Sequence, residues 1–245
     1  SDFTDPEFRK QFYDADFAWN HTMSPAMYTE MGEFVDVEGN TDLCIVMKKA
    51  DKPSLHELLL AGTVNEADLR IIASELMTRI RSLTATRRES MPDLFTKPYV
   101  DLEKMNLEYI RDWLHLSEKI ISKTEADTYI NQLKDFVGTD PYFKNFNVND
   151  YITSIDSHTE NILYRSGEVD FIDSMPPVLD WRVQNMLYVL GRTVTDVIVL
   201  GKGDITTSTA IYDEYEKVYS IKVQPNIIAY LQTVAAFIQT TYFML

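Results

Sequence analysis

The sequence predicts an α+β fold that is mostly helical. Three observations carry that reading. Apolar residues recur at three- and four-residue spacing over most of the 245 residues. The period shortens to that of paired strands only twice, near residues 28–48 and 162–172. Hydrophobic residues make up 45% and charged residues 25%, which supplies a sizeable core and excludes disorder along the whole chain.

The first helix runs from Pro6 to about Asn20. Thr4 or Asp5 caps it, Pro6 suits its first turn, and Phe8, Phe12, Ala15 and Trp19 share a face. Strands at 28–37 and 42–48 flank a turn at Glu38-Gly39-Asn40-Thr41. Cys44, the single cysteine, lies in the apolar run Leu43-Cys44-Ile45-Val46 and reads as a buried small hydrophobe. A polar connector, Lys48 to Pro53, leads to Ser54, which caps a short helix from Leu55 to Leu60 that Gly62 ends. Asn65 caps a longer helix through about Leu83, with Asp68 placed to accept in its first turn and Leu69, Ile72, Ala73, Leu76 and Ile80 as its core face.

Residues 86–99 read as a loop, with Arg87-Arg88 a solvated pair, and helices fill 101–121 and 124–137. Ile162-Leu163-Tyr164 and Val169-Asp170-Phe171-Ile172 then form a compact hairpin around Arg165-Ser166-Gly167-Glu168. Helices resume at 180–200, 206–221 and 226–243, with Tyr212, Tyr215 and Tyr219 as a core stripe of the second. Val223 to Leu245 carries no charge, but its Gln, Asn and Thr residues mark a helix buried against the domain rather than a membrane span. Ser1 to Asp5 lacks the basic start and apolar stretch of a signal peptide.

The net charge of −15 excludes a basic footprint for nucleic acid. It attracts cationic substrates or keeps the protein soluble. One cysteine allows no disulfide within the chain, which fits a reducing, cytoplasmic setting. No two histidines have zinc-ligand spacing, and His21, His56 and His115 read as surface or packing residues. Gly201-Lys202-Gly203-Asp204 is a turn without Walker spacing.

Chemistry concentrates in the lone hairpin and the segment before it. Asp156 precedes Asn161 by five residues, and Asp173 follows Asn161 by twelve, across the hairpin. Phosphoryl transfer uses such a set: one carboxylate takes or orients the proton of the attacking hydroxyl, while an amide oxygen and a second carboxylate hold Mg²⁺. On spacing alone, Asp156 also reads as a turn residue and Asp173 as a solvated acid at a strand end.

Asp156-Ser157-His158-Thr159-Glu160-Asn161 resembles the D-x-H-x-x-N catalytic loop of the aminoglycoside phosphotransferase family, and Val169-Asp170-Phe171-Ile172-Asp173 its following strand and metal-binding Asp. Phe17-Ala18-Trp19-Asn20, Ser24-Pro25-Ala26-Met27-Tyr28, Val46-Met47-Lys48-Lys49, Leu55-His56-Glu57-Leu58-Leu59 and Leu179-Asp180-Trp181-Arg182 are similar to a bacterial subgroup of it. The resemblance implies a protein-kinase-like fold. Residues 1–49 would be a remnant of the small lobe with the inter-lobe connector, and 50–245 the helical large lobe. It implies Asp156 as catalytic base, His158 as a brace for the loop, and Asn161 and Asp173 as Mg²⁺ ligands. The nucleotide, ATP or GTP, would lie on the connector backbone near Met47 and Lys49, with a small-molecule hydroxyl as acceptor.

Three departures accompany the match. Ser154-Ile155 stand where the family carries His-Gly, and Asn185 stands where the subgroup tends to carry Asp. No glycine cluster or lysine precedes the first helix, so the sequence reads as starting just before the helix whose acid would pair with that lysine, Asp14 or Asp16. These departures keep a second reading open: a pseudokinase that binds nucleotide or protein without turnover.

Overall fold

A computed structural model describes residues 4–90, 96–117, 119–146, 152–153, 155–176, 183–201 and 205–242. Helix α1 (Pro6–Met23) starts on Asp5, whose side chain accepts from the Glu7 N–H, with Pro6 in the first turn. Strands β1 (Tyr28–Val35) and β2 (Thr41–Met47) pair antiparallel. Asp36 closes their turn by accepting from the Glu38 and Asn40 N–H groups, and Gly39 sits at φ +87°. Cys44 is half-buried rather than buried, as are its strand neighbours Leu43 and Ile45.

Helix α2 (Leu55–Leu60) begins in a capping box: Ser54 Oγ takes the Glu57 N–H and Glu57 reaches back to the Ser54 N–H. Asn65 and Asp68 cap helix α3 (Glu66–Ser90) in the same reciprocal way. The helix runs on to Ser90, into the first residues of the segment expected to be a loop. Four residues past buried Leu83, the Arg87 stem falls on the same face, and its guanidinium lies 4.9 Å from the centre of the Trp19 ring. Arg87 is 7% exposed, so its reading as a solvated loop residue is corrected.

Helix α4 (Tyr99–Leu116) starts and stops earlier than its apolar spacing predicts, since a Ser122–Glu125 capping box opens α5 (Lys123–Thr139). A short helix α6 (Pro141–Lys144), capped by Asp140, went unpredicted although Asp-Pro is a helix-start pair. Strand β3 (Ile152–Thr153) pairs with β6 (Val183–Gln184), so the helix expected from 180 begins only at α7 (Met186–Leu200), where Asn185 caps Leu187. Between them, β4 (Ile162–Arg165) and β5 (Glu168–Phe171) form the expected hairpin. Ser166 and Gly167, at φ 52° and 90°, make its two-residue turn.

Helices α8 (Ile205–Tyr219) and α9 (Pro225–Tyr242) complete the order. Tyr212 is buried, and Tyr215 and Tyr219 pack beside the core with their rings 4.7 Å apart. Helix α9 packs against α4 and α7. Among the described residues, no helix is long and apolar enough to cross a membrane.

One large core runs through α1, α3, α4, α7 and α9. A small satellite of Met27, Tyr28 and Leu163, flanked by Phe17, Ile45 and Ile172, joins the β1–β2 ribbon to the β4–β5 hairpin. Arg79 on α3 ties these parts together. It donates to the carbonyls of Met23 (2.6 Å) and Val169 (2.8 Å) and to Ser24 Oγ (3.2 Å), and lies 5.3 Å from the Phe171 ring centre.

Arg79→Met keeps most of the apolar stem and strips the donors from two carbonyls. Charge-assisted bonds contribute about 1.5–3 kcal/mol each, and some of that returns through water, so the variant should lose about 2–4 kcal/mol. Urea unfolding measures it; an unchanged midpoint would mean that the clamp does not hold the fold.

Candidate active site

The structure brings four of the six candidate residues to one end of the β4–β5 hairpin. Asn161 closes a 3₁₀ turn, Thr159–Asn161, that runs straight into β4. Its side-chain nitrogen donates to the backbone carbonyls of both Asp156 and Asp173, at 3.3 Å each. Its own carbonyl accepts from the Ile172 N–H. With the nitrogen committed twice, Oδ1 is turned away from those carbonyls and makes no hydrogen bond among the described residues. The Asp173 carboxylate is exposed and likewise has no hydrogen bond or ion pair among them. The Asp156 N–H donates to the Ser174 carbonyl, and His158 Nε2 lies 3.9 Å from Asp156 Oδ2, beyond hydrogen-bond reach.

Met47 and Lys49 sit to one side. Met47 pairs with Tyr28 at the end of the ribbon and is half-exposed. Lys49 is exposed in the connector, and no contact joins it to the cluster. The connector itself is pinned to the hairpin: Lys52 Nζ lies 2.6 Å from Asp170 Oδ2, the Tyr164 N–H donates to Pro53, and Arg165 bonds the Asp51 carbonyl.

Asp173 adopts a left-handed φ of +45°. Backbone turning that way leaves the ladder, so its N–H groups need other acceptors. Three side chains from the end of α1 and the start of β1 supply them. Ser24 Oγ accepts from Phe171 (2.7 Å), the Tyr28 hydroxyl from Asp173 (2.9 Å), and Asn20 Oδ1 from Ser174 (2.7 Å). Burial pushes the Tyr28 hydroxyl up to about 12, so it meets Asp173 as a neutral oxygen. Asp16 accepts from Asn20 and so faces this end of the hairpin, whereas Asp14 pairs with Lys10 at the surface.

The loop after Asp156 is held from the other side, by α7. Ser157 Oγ donates to the Val189 carbonyl, Thr193 Oγ1 donates to the Ser157 carbonyl, and buried Asp196 accepts the Thr159 N–H at 2.8 Å. Sequence reasoning missed Asp196, which lies 37 residues from its partner on an otherwise apolar helix. Asn185 caps α7 and bonds the Tyr142 hydroxyl, so an amide serves there in place of Asp. Ser154 and Leu179-Asp180-Trp181-Arg182 lie outside the described residues.

One amide oxygen and one carboxylate, both hard donors facing the same end, suit a Mg²⁺-type cation. Among the described residues, no group of three or more His, Cys, Asp and Glu side chains converges on a metal position.

No protein-family model matches the chain, and no curated protein matches its sequence. Among solved structures, an aminoglycoside-3'-phosphotransferase of type VIII superposes with a TM-score of 0.53 and 14% identity over 95% of this chain and 79% of its own. A glucosamine kinase gives a TM-score of 0.49 at 12% identity, covering 82% of this chain and 55% of its own. The chain thus has the kinase-like fold of the aminoglycoside phosphotransferases, mostly helical with few short strands.

Burial pushes the Asp196 carboxyl up, against the opposing pull of the Thr159 N–H and of Arg192 and His158 nearby. A carboxyl raised in this way stabilises the fold most below its unfolded value of 3.8, and that contribution is lost as pH rises through the raised value. Asp196→Asn keeps an acceptor for Thr159 and removes the titration. In urea unfolding the variant should gain on the parent as pH rises above the unfolded value of 3.8. Parallel curves would show that Asp196 does not carry the penalty of a buried charge.

Proposed function

We propose that the protein is a Mg²⁺-dependent phosphotransferase that moves the γ-phosphate of ATP or GTP to the hydroxyl of a small molecule. The observation that carries the reading is the double hydrogen bond of Asn161 to the carbonyls of Asp156 and Asp173. It sets one carboxylate for the nucleophile and one carboxylate plus an amide oxygen for a cation at a single end of the hairpin. The kinase-like fold supports the same reading.

Asp156 accepts or orients the proton of the attacking hydroxyl. His158, within 3.9 Å, limits where that carboxylate turns. Asn161 Oδ1 and Asp173 hold the cation, which neutralises charge on the phosphates when bound. The Tyr28 hydroxyl and Asn20 keep Asp173 and Ser174 in place. The nucleotide base lies on the connector near Met47 and Lys49, where backbone groups leave the β1–β2 ribbon. In this reading residues 1–49 belong to the smaller lobe and 50–245 to the larger. A net charge of −15 favours the approach of a cationic acceptor. The single half-buried cysteine suits a cytoplasmic setting.

Ser154-Ile155 in place of His-Gly supports the alternative, a pseudokinase that binds nucleotide or protein without turnover. Two measurements separate the readings. Mg²⁺ with ATP or GTP should raise the unfolding temperature over Mg²⁺ alone, by an amount set by RT ln(1 + [L]/Kd), and Asp173→Ala should abolish the shift. In an acceptor screen, Asp156→Asn should cut turnover at least about 100-fold while leaving the nucleotide shift intact. A shift without turnover in the parent would establish a nucleotide-binding pseudokinase; no nucleotide shift at all would remove the kinase reading and leave the pseudokinase that binds protein.

A further inference from the structure

Behind the loop that carries Asp156, a cavity of about 60 Å³ opens between α2, the 3₁₀ turn, α7 and α9. One water needs roughly 10–15 Å³ of such space. The cavity therefore holds a few waters or a group the size of phosphate or a small carboxylate, and excludes a nucleoside.

Its lining is rich in donors. Arg192, His56, His158 and Gln239 all face it. Arg192 is the unusual member. It makes no hydrogen bond or ion pair among the described residues, and its Nε is fully buried without a partner. The Asp196 carboxylate, one turn further along α7, attracts it without forming an ion pair, so the buried Nε is left for another acceptor. A buried donor left without an acceptor is destabilising, more so on a charged group. A guanidinium matches the paired oxygens of a carboxylate or phosphate, and an imidazole in either protonation state has at least one N–H to add.

We propose that this cavity binds a small oxyanion, with Arg192 as its main partner and His56, His158 and Gln239 completing the donor set. Two carboxylates also line the cavity, and Arg192 and His158 attract the nearer one, Asp196. Glu160 is exposed at the rim, 3.9 Å from His56, and Asp196 spends Oδ2 on the Thr159 N–H. Leu200 and the exposed Val199 supply the apolar part of the lining. Since Thr159 and His158 belong to the segment following Asp156, occupancy stiffens that segment from behind. The proposal needs no nucleotide and stands apart from the phosphotransfer reading.

The test uses the whole chain in chloride buffer, with sodium phosphate or sodium acetate added at matched ionic strength. One anion should raise the unfolding temperature. Phosphate alone would mark a tetrahedral dianion site, acetate alone a carboxylate site. The shift should vanish in Arg192→Met and persist in Asp173→Ala, which separates it from any cation or nucleotide site. The four histidines provide a second readout that needs no variant. Ring resonances of His56 and His158 should move on titration, while His21, bound to the Tyr28 carbonyl, and His115, bound to Asp127, should stay. No shift with either anion, a shift that survives Arg192→Met, or equal movement of all four histidines would overturn the proposal.

Discussion

Everything at the candidate site depends on finding acceptors for three backbone N–H groups. The chain leaves β5 and turns left-handed at Asp173, so Phe171, Asp173 and Ser174 cannot all be served by a strand ladder. Asn20, Ser24 and Tyr28, four residues apart, each take one. Arg79 then fixes the segment that carries those acceptors, by bonding the Met23 carbonyl and Ser24 Oγ on one side and the Val169 carbonyl on the other. Remove this arrangement and Asp173 is tied to Asn161 only through its own carbonyl and the neighbouring Ile172 N–H.

The site is thereby supported from two directions. The first helix and the ribbon hold the Asp173 side, through side chains that accept. The body of the helical domain holds the Asp156 side, through Ser157, Thr193 and Asp196. Among the described residues, the Asn161 side chain is the one that bonds to both. A small displacement of α1 against α7 is felt at that amide first, because its two 3.3 Å bonds are already long for N–H···O contacts.

Most elements were legible because they are long and periodic. α1, α3, α4, α5, α7, α8 and α9 all follow apolar spacing, and Ser54, Asn65 and Gly39 announced a cap, a cap and a turn. The failures have specific causes. Two-residue strands such as β3 and β6 have no period to detect. Arg87 reads as polar, yet its long stem and its stacking on Trp19 let a charged residue extend α3 on its buried face. Cys44 sits in an apolar run that faces too little protein to be covered. At the site, the short-range pattern from Asp156 to Asp173 was visible, whereas Asn20, Ser24 and Tyr28 act across roughly 150 residues of sequence and no local window joins them. Their motif, Trp19-Asn20 through Met27-Tyr28, stood out by resemblance, and its physical meaning is this set of acceptors.

Asp173 also sets stability against chemistry at one position. A left-handed φ costs a residue with a Cβ about 1 kcal/mol, and glycine escapes the cost. Random variation filtered for heat resistance alone would therefore tend to enrich glycine at 173 and discard the carboxylate. Laboratory evolution of this scaffold has to select for ligand response alongside robustness, or it will harvest a sturdier protein with an empty hand.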